Sequence, residues 1–232
     1  MQWWIDFAKG PLFAITFLIM IMGLGRLVLI QIYSLFVSKG NRLKNAPWKK
    51  FFSEMAGWVF PVGHLIKGTA FFSVASFIFH VGIILLALFL TDHIVLWESF
   101  TGWELPEIGR IVADYLTLVT MASILILLLC RIFMARLRAM STKSDYLILV
   151  LVFLPFMFGY MAGHPSVNPF SWQAAMLGHL LSAELLFVVI PFSKMAHIVL
   201  YFFDRMSFVH WQLKPGAGDK VAEALFGKEA RV

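Results

Sequence analysis

The sequence is poor in cysteine and poor in charge, and it contains no internal repeat and no low-complexity tract. Cys130 stands alone. One cysteine makes neither an internal disulfide nor a cysteine-ligated metal cluster. Any redox centre must therefore draw on other ligands, and seven histidines are available. Charged residues make up 14% of the 232 positions and hydrophobic ones 60%. A soluble domain holds about 25% charged and about 45–50% apolar residues, so an ordinary soluble fold is excluded. Acidic residues are the scarcer sign, 13 against 19 Lys and Arg, for a net charge of +6. A basic balance elsewhere points to nucleic acid or anionic lipid. Here the Lys and Arg stand mostly between apolar blocks, where they set membrane topology.

About 20 apolar residues cross a bilayer as a helix. Five blocks qualify: Leu12–Phe36, Thr69–Phe89, Ile111–Phe133, Tyr146–Met161 and Ala174–Phe203. The expected fold is an all-α bundle of five transmembrane helices over residues 1–214, followed by a cytoplasmic tail, 215–232, that closes with a short helix. The first block is too long for a signal-peptide core and has no small-residue cleavage pattern after it, so it reads as a retained span. Span IV is short and contains Pro155, which predicts a kink. Span V is long enough to tilt or to project.

The connections orient the bundle. Between spans I and II stand Lys39, Arg42, Lys44, Lys49, Lys50 and Lys67 against Glu54 alone. Around the III–IV connection stand Arg131, Arg136, Arg138 and Lys143 against Asp145. The II–III connection is acidic apart from Arg110, and the IV–V connection around Gly163–Gln173 has no Lys or Arg. Positive loops stay in the cytoplasm. The N-terminus is thus expected outside and the C-terminus inside, in the inner (cytoplasmic) membrane of the cell. The mixed segment Ser53–Lys67, with Trp58, Phe60, Pro61 and His64, reads either as an inner-surface stretch or as a contact for a cytoplasmic partner.

Ionisable residues inside spans are costly, so each is a functional candidate. They are Arg26, His80, His179, Glu184, Lys194 and His197; Asp114 and Arg131 lie nearer the ends of span III. A lone histidine on an apolar helix is commonly a packing residue. Gly82, beside His80, would let a flat group approach closely. On one continuous span V helix, His179 and His197 are 18 positions apart, which is five turns, one face and about 27 Å. Neutral imidazole ligates iron well, and histidines from two facing helices can clamp one haem. With spans II and V running in opposite directions, His80 and His197 share the inner depth and His179 is outer. Structural or proton-relay roles are the competing readings. Arg26 offers a charge to a haem propionate, or it snorkels. Glu184 reads as a proton acceptor near an outer quinol site, or as the partner of a polar neighbour. Lys194 reaches the interface.

Three stretches resemble a known family. They are Phe79-His80-Val81-Gly82-Ile83 followed by Leu105-Pro106-Glu107-Ile108; Arg136-Leu137-Arg138-Ala139 with Thr142 and Asp145; and His179 followed by Ile190-Pro191-Phe192-Ser193-Lys194-Met195-Ala196-His197. The chain resembles the cytochrome b (gamma) subunit of membrane-bound respiratory nitrate reductase. That family includes the membrane subunits of heterodisulfide-reductase-like and sulfite-reduction-associated complexes. The resemblance covers spans II to V. It implies a quinol-oxidising or quinone-reducing oxidoreductase subunit with bis-histidine haem b, active within a complex. His80 and His197 match the ligands of the inner haem, and His179 matches one ligand of the outer haem. Arg110 falls where the family carries a basic residue near the outer quinol site; the plainer reading is a helix-start arginine.

The departure lies at the fourth ligand. The family's residue stands ten positions after the first histidine, and Leu90, which cannot bind iron, occupies that position here. His93 and His164 are the nearest replacements. On an ideal helix the family's position lies about 80° from the face of His80, and His93 lies about 140° from it. A break near Thr91-Asp92-His93 would remove that objection to His93. His179 otherwise stands at a quinol site or is a remnant. Lacking a cysteine set, the chain would pass electrons to a separate cytoplasmic iron–sulfur subunit, with membrane quinone at the other end. A haem-poor anchor and a proton- or ion-conducting subunit are the rival expectations. The absence of repeats and broken-helix pairs counts against a transporter.

Overall fold

The computed structural model describes residues 1–37, 48–59, 70–203 and 217–227. Its regular structure is helical, with no strand among the described residues; Leu90 and Ile108 form an isolated parallel bridge. Five stretches are long and apolar enough to cross a membrane: Gln2–Ser34, Ala70–Phe89, Arg110–Phe133, Lys143–Gly163 and Trp172–Phe192. Large apolar side chains such as Leu29, Ile111, Phe133 and Leu147 face outward. That distribution suits lipid rather than water, and the chain is a multi-pass membrane protein.

The first span starts about ten residues earlier than expected. Helix α1 (Gln2–Phe7) passes through a π-turn, Ala8–Leu12, into α2 (Phe13–Val37). Pro11 lacks an N–H and crowds the preceding turn of an α-helix, and a wider π-turn accommodates it. Helix α3 (Trp48–Val59) lies in the basic connection. Phe60, Pro61, His64 and Lys67 of the expected surface segment lie outside the described residues, as do Lys39, Arg42 and Lys44.

Span II is α4 (Ala70–Phe89). The connection after it contains a helix, α5 (Thr91–Thr101), closed by Gly102 at φ 74°. Spans III and IV are α6 (Arg110–Phe133) and α8 (Lys143–Gly163), joined through the short α7 (Ala135–Ala139). Thr142 and Asp145 form a capping box that starts α8 three residues before the predicted Tyr146. This supplies donors and acceptors to the first turn. Helix α8 runs unbroken through Pro155.

Span V departs most from expectation. Helix α9 (Trp172–Val189) gives way to a 3₁₀ turn, Ile190–Phe192, and then to an extended Ser193 at φ −131° and ψ −179°. A new helix, α10 (Lys194–Phe203), follows. Pro191 cannot supply an N–H to the preceding turn, and Ser193 restarts the chain by accepting a hydrogen bond from the Met195 N–H. The predicted continuous helix Ala174–Phe203 is therefore wrong, and the face and spacing computed for His179 and His197 on it do not hold. The break also removes part of the sequence argument against a transporter. The expected closing helix is α11 (Ala217–Phe226).

Two compact units are present: Met1–Phe17 with Val62–Phe187, and Leu18–Pro61 with Val188–Val232. In the first, α4 packs closely on α6. A Cβ on Gly82 would overlap Oγ1 of Thr120, which is fully buried and donates to the Leu116 carbonyl. The space beside Gly82 thus belongs to helix packing, not to a flat ligand as its place next to His80 suggested. Phe13, Phe17, Trp97 and Phe187 form an aromatic cluster with centroid separations of 5.4–6.1 Å. In the second unit, a Cβ on Gly23 would fall on the Pro191 ring.

Gly82→Ala is expected to cost about 1–3 kcal/mol through overpacking, read as a lower thermal midpoint in detergent. Thr120→Ala should relieve part of that loss. Gly25→Ala, where a Cβ meets nothing within 4 Å, should leave the midpoint unchanged or raise it.

Candidate functional site

The site begins where α4 stops. Leu90 is extended, at φ −71° and ψ 131°. Ending a helix leaves its last carbonyls without intrahelical donors. In an apolar setting those carbonyls need other partners. The Phe89 carbonyl accepts from the Ile108 N–H at 2.9 Å. The Leu86 carbonyl accepts from Nδ1 of His93 at 2.8 Å, and the Ala87 carbonyl from Nε1 of Trp97 at 2.9 Å. Helix α5 is thereby tied back over the end of α4 by two of its own ring N–H groups.

Across from His93 stands His179 of α9. Its Nδ1 donates to the Pro155 carbonyl of α8 at 2.8 Å. Gly159 makes this contact possible: a Cβ there would sit 2.8 Å from the same nitrogen. The close approach of α8 and α9 repeats at Gly178, where a Cβ would meet the Phe158 ring at 2.9 Å. The His93 and His179 rings lie 5.9 Å apart, centroid to centroid, with planes inclined by 12°.

The chemistry of the pair follows from its hydrogen bonds. Donation to a carbonyl places the proton on Nδ1, so Nε2 of each ring carries the lone pair that ligates a metal. Backbone anchoring of the far nitrogen is also what orients metal-binding histidines. Burial holds the His93 imidazole below the ordinary histidine pKa, which favours the neutral, ligating form. With metal–nitrogen bonds of about 2.1 Å and about 1.1 Å from nitrogen to ring centre, two in-line imidazoles would place their centroids about 6.4 Å apart. The observed 5.9 Å is about half an ångström shorter, so the rings would draw apart slightly to hold one metal between them. Among the described residues no group of three or more His, Cys, Asp or Glu could hold a bare metal ion. A donor set of two imidazoles suits a metal that brings its other ligands with it, as haem iron does.

The alternative partner, His164, is engaged elsewhere. Its Nδ1 bonds the Tyr160 carbonyl at 2.9 Å, and its Nε2 lies 3.3 Å from Asp114. Both of its ring nitrogens thus already face protein acceptors rather than His179. Arg110 belongs to the same corner, its guanidinium donating to the Gly163 carbonyl at 2.9 Å. Arg110 and Asp114 of α6 thus hold the C-terminal end of α8. At the opposite end of α6, Arg131 bonds the Ser141 hydroxyl and lies over the Phe72 ring, while Tyr146 donates to its carbonyl.

The remaining candidates are placed as follows. His80 donates through Nδ1 to the Ser76 carbonyl at 2.7 Å, and His197 to the Lys194 carbonyl at 2.9 Å. Both rings are exposed and have the same tautomer as the His93 and His179 pair. His80 belongs to the first unit and His197 to the second, so their pairing rests on the sequence alone. Arg26 is exposed on α2. Sequence reasoning missed Trp97 and Gly159. Gly159 had a signal, a small residue one turn after a proline within a span, which is where membrane helices approach closely.

The chain is similar to an uncharacterised protein of Nitratidesulfovibrio vulgaris strain Hildenborough, with 35% identity over 149 residues, 64% of this chain. The match spans 65% of that protein's length, just under two thirds. No family model matches the chain, and no solved structure does.

Gly159→Ala should displace the His179 ring and cost about 1–3 kcal/mol. In a His179→Ala background the same substitution should cost much less. A double-mutant cycle on thermal midpoints reads the difference; additive costs would show that the two residues do not interact.

Proposed function

We propose that the chain is the membrane cytochrome b subunit of a respiratory oxidoreductase complex, carrying electrons between membrane quinone and a cytoplasmic iron–sulfur subunit. The observation that carries the reading is the His93–His179 pair: near-parallel rings 5.9 Å apart, each anchored at Nδ1 with the other nitrogen left to ligate. The sequence resemblance adds His80 and His197 as a second pair. When bound, haem b supplies a one-electron carrier whose potential the surrounding protein sets.

The residues have separable roles. His93 and His179 would hold the outer haem, and His80 and His197 the inner one. Pro155 and Gly159 fix the angle of His179. Leu86 and the break at Leu90 do the same for His93. Arg26 and Arg110 offer positive charge to propionates or to a quinone head group. The apolar helices exclude water, which limits stray reduction and proton leakage. The distribution of Lys and Arg supports an outside N-terminus and a cytoplasmic C-terminus in the inner membrane. With a single cysteine the chain cannot itself ligate an iron–sulfur cluster, which supports a separate iron–sulfur subunit.

The test is the haem content of the purified protein, read by dithionite-reduced spectra and a pyridine haemochrome assay. Two haems per chain are expected. His93→Ala and His179→Ala should each lower the ratio to one, and His80→Ala and His197→Ala should remove the other haem. A folded wild-type protein without haem would overturn the reading.

A further inference from the structure

One buried ionisable group has no part in the site described above. Glu184 lies on α9, inside the fifth membrane-crossing stretch. It is 4% exposed. Both its carboxylate oxygens are buried without a hydrogen-bond partner among the described residues. The nearby Ser182 hydroxyl is not available to it, since it donates back to the Gly178 and His179 carbonyls. Three residues further on, Phe187 packs edge-on against Phe13 and Phe17 of α2. Positions i and i+3 share a helix face, so Glu184 stands on the side of α9 turned to α2.

The placement is chemically specific. An isolated carboxylate anion in an apolar interior is strongly disfavoured, and the neutral acid far less so. With no bonded cation among the described residues, Glu184 is therefore suited to holding a proton, and to losing it when a positive charge nearby, such as an oxidised metal would carry, offsets the anion. Glu184 lies five residues beyond His179 on the same helix, about 7.5 Å along its axis and about 140° around it. That is too far for a bond and close enough for the two sites to feel each other's charge in a low-dielectric interior. The charged and titratable groups on α2, α9 and the segments beside them are Asp6 and Lys9 before α2, the exposed Arg26 on α2, Asp92 and His93 on α5, and His179. None of them bonds Glu184.

We propose that Glu184 is a membrane-embedded proton carrier coupled to the redox state of the His93–His179 site. One of its carboxylate oxygens takes up a proton as an electron enters the interior, and the carboxyl releases that proton as the electron leaves. One positive and one negative charge then move together, and the apolar interior holds no net charge. The inference rests on the cytochrome reading above, which supplies the electron.

The experiment is reduced-minus-oxidised infrared difference spectroscopy on the purified, haem-loaded protein, with haem content measured on the same sample. A carboxylic-acid carbonyl band above the amide region is expected. It should shift in deuterium oxide and be lost completely in Glu184→Gln, with haem content unchanged. Glu184→Asp should move the band rather than remove it, and it serves as the second variant if Glu184→Gln does not hold haem. A band that persists unaltered in both variants, or no carboxyl band in the haem-loaded wild type, overturns this inference and leaves the cytochrome reading standing. A wild-type preparation without haem overturns that reading and this inference with it.

Discussion

A backbone carbonyl without a donor is expensive away from water, and the end of α4 is organised around that cost. The chain leaves the helix at Leu90, and the carbonyls of Leu86, Ala87 and Phe89 take donors from further along the chain. Two of those donors are ring N–H groups, from His93 and Trp97. Satisfying them turns α5 back on α4 and brings the His93 ring to 5.9 Å from the His179 ring. The capping role and the proposed ligand role of His93 are thus compatible: the first uses Nδ1 and leaves Nε2.

His179 is positioned by a matching device on another helix. The Pro155 carbonyl accepts from its Nδ1, and the missing side chain of Gly159 clears the space. Around the pair, Arg110 and Asp114 bind the end of α8 and occupy His164. The result is a corner where α4, α5, α6, α8 and α9 meet and where His93 and His179 are each anchored through Nδ1 alone among the described residues. Deeper along α9, the buried Glu184 is the one ionisable group of that stretch left without a bond to a described residue.

Much of the scaffold was legible in the sequence. Apolar runs and turn residues placed α4, α6 and α8 to within a few residues, because bilayer thickness constrains length directly. The sequence was less informative wherever a helix ended inside an apolar run. The break at Ser193 falls among residues as hydrophobic as a span, so periodicity passed over it, although Pro191 marked it. The helix at Thr91–Thr101 was hidden for a different reason: its residues read as an acidic connection. Gly82 was misassigned because a sequence does not reveal which neighbour fills a glycine's space, and here it is Thr120. For His93 the objection came from ideal-helix geometry, and the extended Leu90 takes His93 off that helix altogether.

The central claim is that His93 and His179 hold one haem iron between them. Electron paramagnetic resonance of the oxidised protein tests it most directly, because axial imidazole orientation shapes the low-spin ferric signal. Rings inclined by 12° should give a rhombic bis-imidazole component, and that component should be lost in both His93→Ala and His179→Ala, leaving only the signal of the haem assigned to His80 and His197. A wild-type spectrum that keeps every component unchanged in His93→Ala would contradict the account.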